Sequence, residues 1–570
     1  MKTPGLADRI ALTSLVVGQG AKRLRRGLAA PLRLAAVWRA PAPERLVIAP
    51  QDLRTADPTI ADDIYGGYFV FHGKTVNTHG ESPFAIEPPS PAWRDALLGF
   101  GWLRHLRAAD TMLSRANARA LTVDWMRLHG SPPGGDPAGR QAMQAGWSAE
   151  VTARRVLAWI AHSPLILDGA DRLFYRRFMK SLARQCAWLA HALSGGLEGE
   201  ARLFAAAALA EFAICADVAP GRRRRALRLL EKEIAAQMLP DGGHVTRNPR
   251  MVVDALLTLL PLRQAFAASG AQTPQSLITA IDRMLPMLRM LRHEDGALAL
   301  FNGMGATRPD LLATLLAYED SAAGSLAHAP QSGYLRLDAG DVGLIADVGA
   351  APPRAFSCEA HAGALSFELT CAGQRLIVNC GAPERGRGAL REAARQTAAH
   401  STLTLADVSS ARFAPTTALS EWLDGQIVAG PREVTAERAG DGAHVATHDG
   451  YLRRFGLRHR RAFRLDDRSV HVTDELIPGP RGPAEAPPFA VRLHLHPSIR
   501  CALNPTGNGV LIEPPSGDAW AFHCEGESVA IEESAFFASH EGPRPTRQIV
   551  VERPAGPLAP LAWRLERLRR

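Results

Sequence analysis

Residues 333–349 read GYLRLDAGDVGLIADVG and mark the point where the pattern of the chain changes. Two short runs rich in Leu, Ile and Val lie on either side of Ala-Gly-Asp, which is typical of two β-strands joined by a tight turn. Comparable runs follow, separated by turn residues at intervals of about 8 to 12 positions. These runs are LSFELTCAG, QRLIVNCG, STLTLADV, SVHVTDEL, AVRLHLHPS, GVLIEPP, AWAFHCEG and RQIVVERP. The pattern predicts an all-β domain over residues 326–570, built as a sandwich of antiparallel sheets.

Upstream of this point, apolar residues recur at helical spacing over residues 93–318. Short polar or Gly/Pro links separate the helical segments, so we expect sequential antiparallel helix pairs in a domain over residues 46–325. The spacing alone does not decide between an open solenoid and a closed α/α toroid. Residues 319–330, rich in Ala, Ser and Gly, are the predicted linker.

The charge balance favours an acidic partner. The 570 residues carry a formal net charge of +9, which suits a uronate-rich glycan, nucleic acid or an anionic membrane surface. Most of the cations are Arg, which forks onto carboxylate and sulfate, although the bias towards Arg can equally reflect coding composition. The run of four Arg at residues 222–225 is interpreted as a solvated helix face, so no nucleic-acid partner is expected.

The N-terminus and the cysteines give conflicting indications of location. Residues 1–45 contain a short apolar patch followed by a basic amphipathic stretch without a small-residue cleavage site, which makes a poor secretory signal. The stretch fits an ordinary packed helix or a peripheral membrane contact. Seven cysteines without a CxxC pair fit poorly with an oxidising compartment. No motif indicates an organic cofactor, and the oligomeric state is left open.

A series of motifs then resembles one known family. They are HAGALSFEL at residues 361–369, RLIVNCG at 375–381, AHSTL at 399–403, YLRRFGLRHRRAF at 451–463, DGGHVTRNP at 241–249 and FNGMG at 301–305. Taken in their order along the chain, these motifs resemble the heparinase II/III family of polysaccharide lyases. The resemblance implies an N-terminal α/α toroid, a C-terminal β-sandwich, and an acidic polysaccharide bound in the cleft between them. It also implies a location in the cell envelope or periplasm.

The family's chemistry is β-elimination, which needs a base, an acid and a group that neutralises the uronate carboxylate. Family members carry His-x-His-x-Asp before the LSF strand, whereas this sequence has Glu359, His361 and Gly363. The resemblance therefore places Glu359 at the catalytic position. It also implies a structural zinc held by His361, Asn379 and His400, although a set of two His and one Asn lacks the usual anionic ligand.

The toroid side of the family's site is altered as well. The family's Tyr after DGG is absent, because the chain continues with Asn248 and Pro249. We therefore expect other side chains to fill the catalytic and substrate-binding roles. The remaining catalytic candidates are His244, Arg247 and Tyr451, and the substrate-binding candidates are Arg202, Asn248, Tyr65, Tyr68 and His72.

Two functions of different classes follow. The leading hypothesis is a polysaccharide lyase that acts by β-elimination on a uronate-containing glycan. The alternative is an altered family member that binds an envelope or capsular glycan without cleaving it. The individual histidines also have ordinary interpretations, with His244 as a turn histidine that caps the following helix, and with His361 and His400 hydrogen-bonded inside the sandwich instead of binding metal.

Overall fold

The structure is a computed structural model. It describes residues 13, 16–18, 20–21, 35–133, 146–318, 326–383, 388–414, 423, 425–440 and 442–568. Most of the predicted N-terminal segment 1–45, and residues 319–325 of the predicted linker, therefore lie outside the described residues.

Helices form the first half of the chain. They are α1 Thr59–Tyr65, α2 Pro91–Leu98, α3 Leu103–Ala109, α4 Met112–Leu128, α5 Ala149–Ala161, α6 Ser163–Leu167, α7 Arg172–Ser194, α8 Ala201–Cys215, α9 Pro220–Gln237, α10 Pro249–Ser269, α11 Gln275–Met290 and α12 Pro309–Leu316. Helix α8, ARLFAAAALAEFAIC, packs against α5, α7, α9 and α10. Its alanines allow this close approach, and nearly all of its side chains are buried.

Two segments with continuous helical spacing are broken in the structure. Between α2 and α3, Phe100 adopts a left-handed backbone conformation with a φ of 58°. Between α5 and α6, the chain turns at His162, just before Pro164 in the first turn of α6. Phe100 and His162 are both buried, so tertiary packing holds these breaks against the local helical spacing.

Strands form the second half and pair antiparallel. After the hairpin β1 Tyr68–Phe71 and β2 Lys74–Asn77, they are β3 His328–Ala329, β4 Tyr334–Ala339, β5 Val342–Asp347, β6 Phe367–Cys371, β7 Gln374–Val378, β8 Leu403–Leu405, β9 Arg412–Phe413, β10 Ile427–Ala429, β11 Val434–Arg438, β12 His444–His448, β13 Leu457–Leu465, β14 Ser469–Pro478, β15 Glu485–Ala486, β16 Phe489–Leu495, β17 Arg500–Leu503, β18 Gly509–Glu513, β19 Ala519–Cys524, β20 Val529–Phe536, β21 Arg544–Arg553, β22 Gly556–Pro557 and β23 Leu561–Leu568. Two short helices, α13 Gly388–Ala394 and α14 Leu452–Phe455, interrupt them.

Two large sheets face each other across one apolar core. One sheet has the strand order β11-β12-β13-β14-β23-β19-β18-β17, and the other has β20-β21-β16-β7-β6-β5-β4-β3 with β8 paired to β16. Side chains of both sheets, such as Phe367 and Trp563, share this core. Every run predicted as a strand lies on a strand. Strand β13, LRHRRAFRL, was not predicted, because its buried positions do not give an apolar alternation. Two of its inward side chains are His459 and Arg461, and both bond the carboxylate of Asp474.

Buried polar contacts join the two halves. The carboxylate of Glu368 on β6 accepts from Nε2 of His293 at 2.7 Å and from the backbone N–H of Leu300 at 3.1 Å, both on the helical side. Asn302 Nδ2 donates to Asp347 on β5 at 3.1 Å. These groups are nearly inaccessible to water, so the interface is held by satisfied hydrogen bonds rather than by apolar contact alone.

Candidate functional site

The toroid and the loop before β6 come into close contact. Gly303, with a φ of 91°, approaches this loop so closely that a Cβ on it would lie 2.5 Å from the carbonyl oxygen of Glu359. The same Cβ would lie 3.1 Å from Nδ2 of Asn248, at the start of α10. Gly303 therefore lies close to both Asn248 and Glu359, two of the predicted site residues.

Two arginines that sequence reasoning missed hold the loop with Glu359 in place. Arg391 on α13 donates to the carbonyl of Cys358 and to Oε1 of Glu359, the latter at 3.1 Å. Arg395, only 1% exposed, donates to the carbonyl of Ala360 at 3.0 Å. Their positions beside the loop depend on long-range folding, so the sequence offered no local signal for them.

His361 and His400 lie side by side. Nδ1 of His361 is 3.1 Å from Nε2 of His400, and Nδ1 of His400 is 2.8 Å from the carbonyl of Gln396. Because a carbonyl oxygen only accepts, Nδ1 of His400 carries the proton and its Nε2 accepts from His361. Burial lowers the pKa of His400 to about 4 and, together with the charge of His400, holds the pKa of His361 well below its ordinary value.

Asn379 is committed elsewhere. Its Nδ2 donates to Oε1 of Glu368 at 3.2 Å, and its Oδ1 accepts from the backbone N–H of Ser401 at 3.0 Å. Among the residues that the structure describes, no group of three His, Cys, Asp or Glu could hold a metal ion. The donors present at His361, Asn379 and His400 do not fit the structural zinc that the resemblance implied.

His244 closes a buried chain of hydrogen bonds. Its Nδ1 accepts from the backbone N–H of Thr246 at 3.2 Å, and its Nε2 donates to Oε1 of Gln237 at 3.1 Å. Gln237 donates to Glu233, which also accepts from Arg202 at 3.0 Å. Burial lowers the pKa of His244 to about 3. Both ring nitrogens of His244 and the guanidinium of Arg202 are therefore bonded to protein groups, and the catalytic and binding roles expected of them stay predictions.

Arg247 joins the toroid to the sandwich. Its guanidinium donates to the carbonyls of Ser332 at 2.7 Å and Ala350 at 2.9 Å, and it pairs with the buried carboxylate of Asp347. Its own carbonyl accepts from the hydroxyl of Tyr334. The structure therefore shows Arg247 bonded to groups of the sandwich, and its expected catalytic role stays a prediction.

Tyr451 lies in the sandwich core. It is 1% exposed, and its hydroxyl donates to the carbonyl of Leu403 at 2.9 Å. Burial raises the pKa of this hydroxyl. A buried phenol bonded in this way packs against the strand whose carbonyl it contacts, and the expected catalytic role of Tyr451 stays a prediction.

The remaining candidates lie near the N-terminal hairpin. Tyr65 on α1 lies 3.4 Å from Thr111 through its hydroxyl, and Tyr68 on β1 is 44% exposed. His72, in the turn between β1 and β2, lines a cleft with Lys74 and His540. The contacts described for these three candidates do not include the loop that carries Glu359, so their substrate-binding role stays a prediction.

Comparisons with known proteins give the family. The model described as "Heparinase II/III-like, C-terminal" matches residues 322–561. FtsZ-localized protein C of Caulobacter vibrioides (strain NA1000 / CB15N) is 32% identical over 542 residues, which are 92% of this chain and 91% of the relative.

Solved structures give the same fold. Heparinase III aligns with a TM-score of 0.71 at 14% identity, covering 95% of this chain and 89% of the other. Heparan sulfate lyase HepC of Pedobacter heparinus aligns with a TM-score of 0.60 at 18% identity over 95% and 88% of the two chains. These identities show the fold alone, and they confirm the predicted α/α toroid followed by a β-sandwich. With a relative over 30% identical along nearly its whole length, the chain belongs to the heparinase II/III family, whose fold it shares with polysaccharide lyases.

Proposed function

We propose that this protein binds an acidic glycan in the cleft between toroid and sandwich without cleaving it. The observation that carries the proposal is the commitment of His244, Arg247 and Tyr451 to protein hydrogen bonds. β-Elimination needs an acid and a base within reach of substrate protons, whereas these groups are buried and bonded.

The groups left at the cleft suit binding. Arg391 and Glu359 form an ion pair at 3.1 Å, and each side chain keeps about a third of its surface exposed. A carboxylate or sulfate of a ligand can replace Glu359 on Arg391, because a guanidinium pairs with either anion. Asn248 adds an amide beside Gly303. The proposed binding region therefore contains one cation, Arg391, and one amide, Asn248, beside the loop that carries Glu359.

We expect no unsaturated uronate when the purified protein is incubated with heparin, heparan sulfate, alginate or chondroitin, as followed by ultraviolet absorbance. We expect salt-dependent binding to at least one of these polymers, because the attraction is electrostatic. Arg391→Gln should weaken that binding about tenfold, the loss of one charge-assisted contact.

The matched control is Arg460→Gln, which removes an exposed Arg–Glu pair of similar length, 3.0 Å, on the sandwich. It should leave glycan binding unchanged. A rise in absorbance that disappears in His361→Ala contradicts the proposal and supports the lyase hypothesis instead. Failure of every polymer to bind also contradicts it.

A second proposal concerns location, and the relative named FtsZ-localized protein C supports it. The likeness runs over 92% of this chain, so it includes both domains rather than the sandwich alone. We propose that this protein also localises with FtsZ. The envelope or periplasmic location, and a membrane contact by residues 1–45, stay predictions beside this one.

A full-length fluorescent fusion expressed in Caulobacter vibrioides tests the location. We expect a band at the position of a co-expressed, differently labelled FtsZ, and we expect the band to disperse when FtsZ is depleted. Free fluorescent protein is the matched control. A uniform distribution, or a band that persists after FtsZ depletion, contradicts the proposal.

A further inference from the structure

We infer that the zinc position implied by the family pattern is, in this chain, a metal-free pair of histidines for which Gly363 makes room. The inference does not depend on the proposed function. It starts from the disagreement between the pattern His-x-His-x-Asp and the residues Glu359, His361 and Gly363 that stand in its place.

The side chains at this position do not supply the ligands that a structural zinc needs. Structural zinc sites are usually closed by four ligands, most of them thiolate or imidazole, and neutral amide ligands are not typical. Here only His361 and His400 converge, and Asn379 uses both ends of its amide on Glu368 and Ser401. Two neutral imidazoles do not complete a tetrahedral site.

The carboxylate of Glu368, which is bonded to Asn379, is also committed. Oε1 of Glu368 accepts from the backbone N–H of Asn379 at 2.8 Å, and Oε2 accepts from His293 at 2.7 Å and from Leu300 at 3.1 Å. Glu368 is wholly buried and joins the sandwich to the toroid. Moving it onto a metal would leave the imidazole of His293 and two backbone N–H groups unbonded, which is costly in a buried interface.

The space beside Gly363 is occupied by the ring of His400. A Cβ on Gly363 would lie 2.7 Å from Cδ2 and 3.2 Å from Nε2 of His400. The imidazole of His400 therefore occupies the volume into which the family's Asp side chain would extend. The absence of a side chain at Gly363 leaves room for the His400 ring, and that ring position allows the hydrogen bond with His361.

The loop that carries His361 is held in place by protein hydrogen bonds, without a metal. The loop that carries His361 is fixed by Arg395, which donates to Ala360, and by Thr397, which donates to the carbonyl of Ala362 at 2.7 Å. The direction of the hydrogen bonds runs from His361 to His400 and from His400 to Gln396. This order leaves Nε2 of His361 as an unprotonated acceptor, with 8% of the residue still exposed.

The first experiment measures metal content. The full-length protein is produced in zinc-supplemented medium, passed through gel filtration, and analysed by elemental mass spectrometry. We expect far less than one zinc per chain, and a thermal unfolding midpoint that neither EDTA nor added Zn²⁺ changes. One equivalent of retained zinc, with a midpoint that falls on chelation, overturns the inference.

The second experiment tests Gly363 with a methyl group. Gly363→Ala should lower the unfolding midpoint by about 3 to 8 °C, since the new Cβ presses on the His400 ring. The matched control is Gly221→Ala in α9, where a Cβ meets no atom within 4 Å. A midpoint equal to that of the control overturns the inference. If Gly363→Ala does not fold, the metal content of the unaltered protein still decides whether the position holds zinc.

Discussion

Replacing Arg247 with alanine is expected to lower the free energy of unfolding by about 3–5 kcal/mol, the usual cost of breaking a buried ion pair from one side. The change leaves the carboxylate of Asp347, 3% exposed, without its guanidinium. It also leaves the carbonyls of Ser332 and Ala350 without a donor. Because these partners belong to the sandwich, the loss should appear as separation of the two halves.

Denaturant unfolding and limited proteolysis of the full chain measure this effect, with cleavage expected near residues 319–330. The matched control is Arg250→Ala, three positions later. Arg250 is 46% exposed and pairs with Asp254 at 3.5 Å, so its loss should cost about 0.5 kcal/mol or less. Equal stability of the two variants would show that Arg247 is not an interdomain anchor.

Replacing Glu211 with glutamine is expected to stabilise the protein by about 4 kcal/mol at pH 8, and by less than about 1 kcal/mol at pH 5. Glu211 lies on α8 and is 2% exposed. Burial, helped by the charge of Asp52, raises its pKa to about 8 from an ordinary value of 4.5. The folded protein therefore binds a proton that the unfolded chain releases across this pH range.

The direction in which stability changes with pH follows from this difference in proton binding. The stability that the protonated Glu211 contributes is fully present below pH 4.5 and is lost as the pH rises through about 8. Glutamine has the shape of the protonated acid and no proton to lose, so the variant should show a flatter dependence of stability on pH. Unfolding curves at several pH values measure it.

The matched control for this prediction is Glu150→Gln on α5. Glu150 is 27% exposed and pairs with Arg154 at 2.6 Å, so its replacement should change stability by about 0.5 kcal/mol or less, with no loss of pH dependence. A wild-type protein whose stability does not fall between pH 5 and pH 8, relative to Glu211→Gln, contradicts the prediction.

The sequence by itself determined the two-part architecture. Helical spacing in segments such as ARLFAAAALAEFAIC, and alternation in runs such as GYLRLDAG, are local properties, because side chains a few positions apart share a face whatever the rest of the chain does. For the same reason these runs lie on helices and strands in the structure. The breaks at Phe100 and His162 were not readable, since packing rather than propensity fixes them.

The candidate site was decided by tertiary structure. The motifs predicted Arg247, His361 and Tyr451 as site residues. They could not show which of these polar groups would be hydrogen-bonded to residues far away in sequence. Arg247 is held by Asp347, and Tyr451 by the carbonyl of Leu403. His361 bonds His400 because Gly363 leaves room for that ring. A side chain's chemistry depends on its burial and its partners, and only the folded chain supplies both.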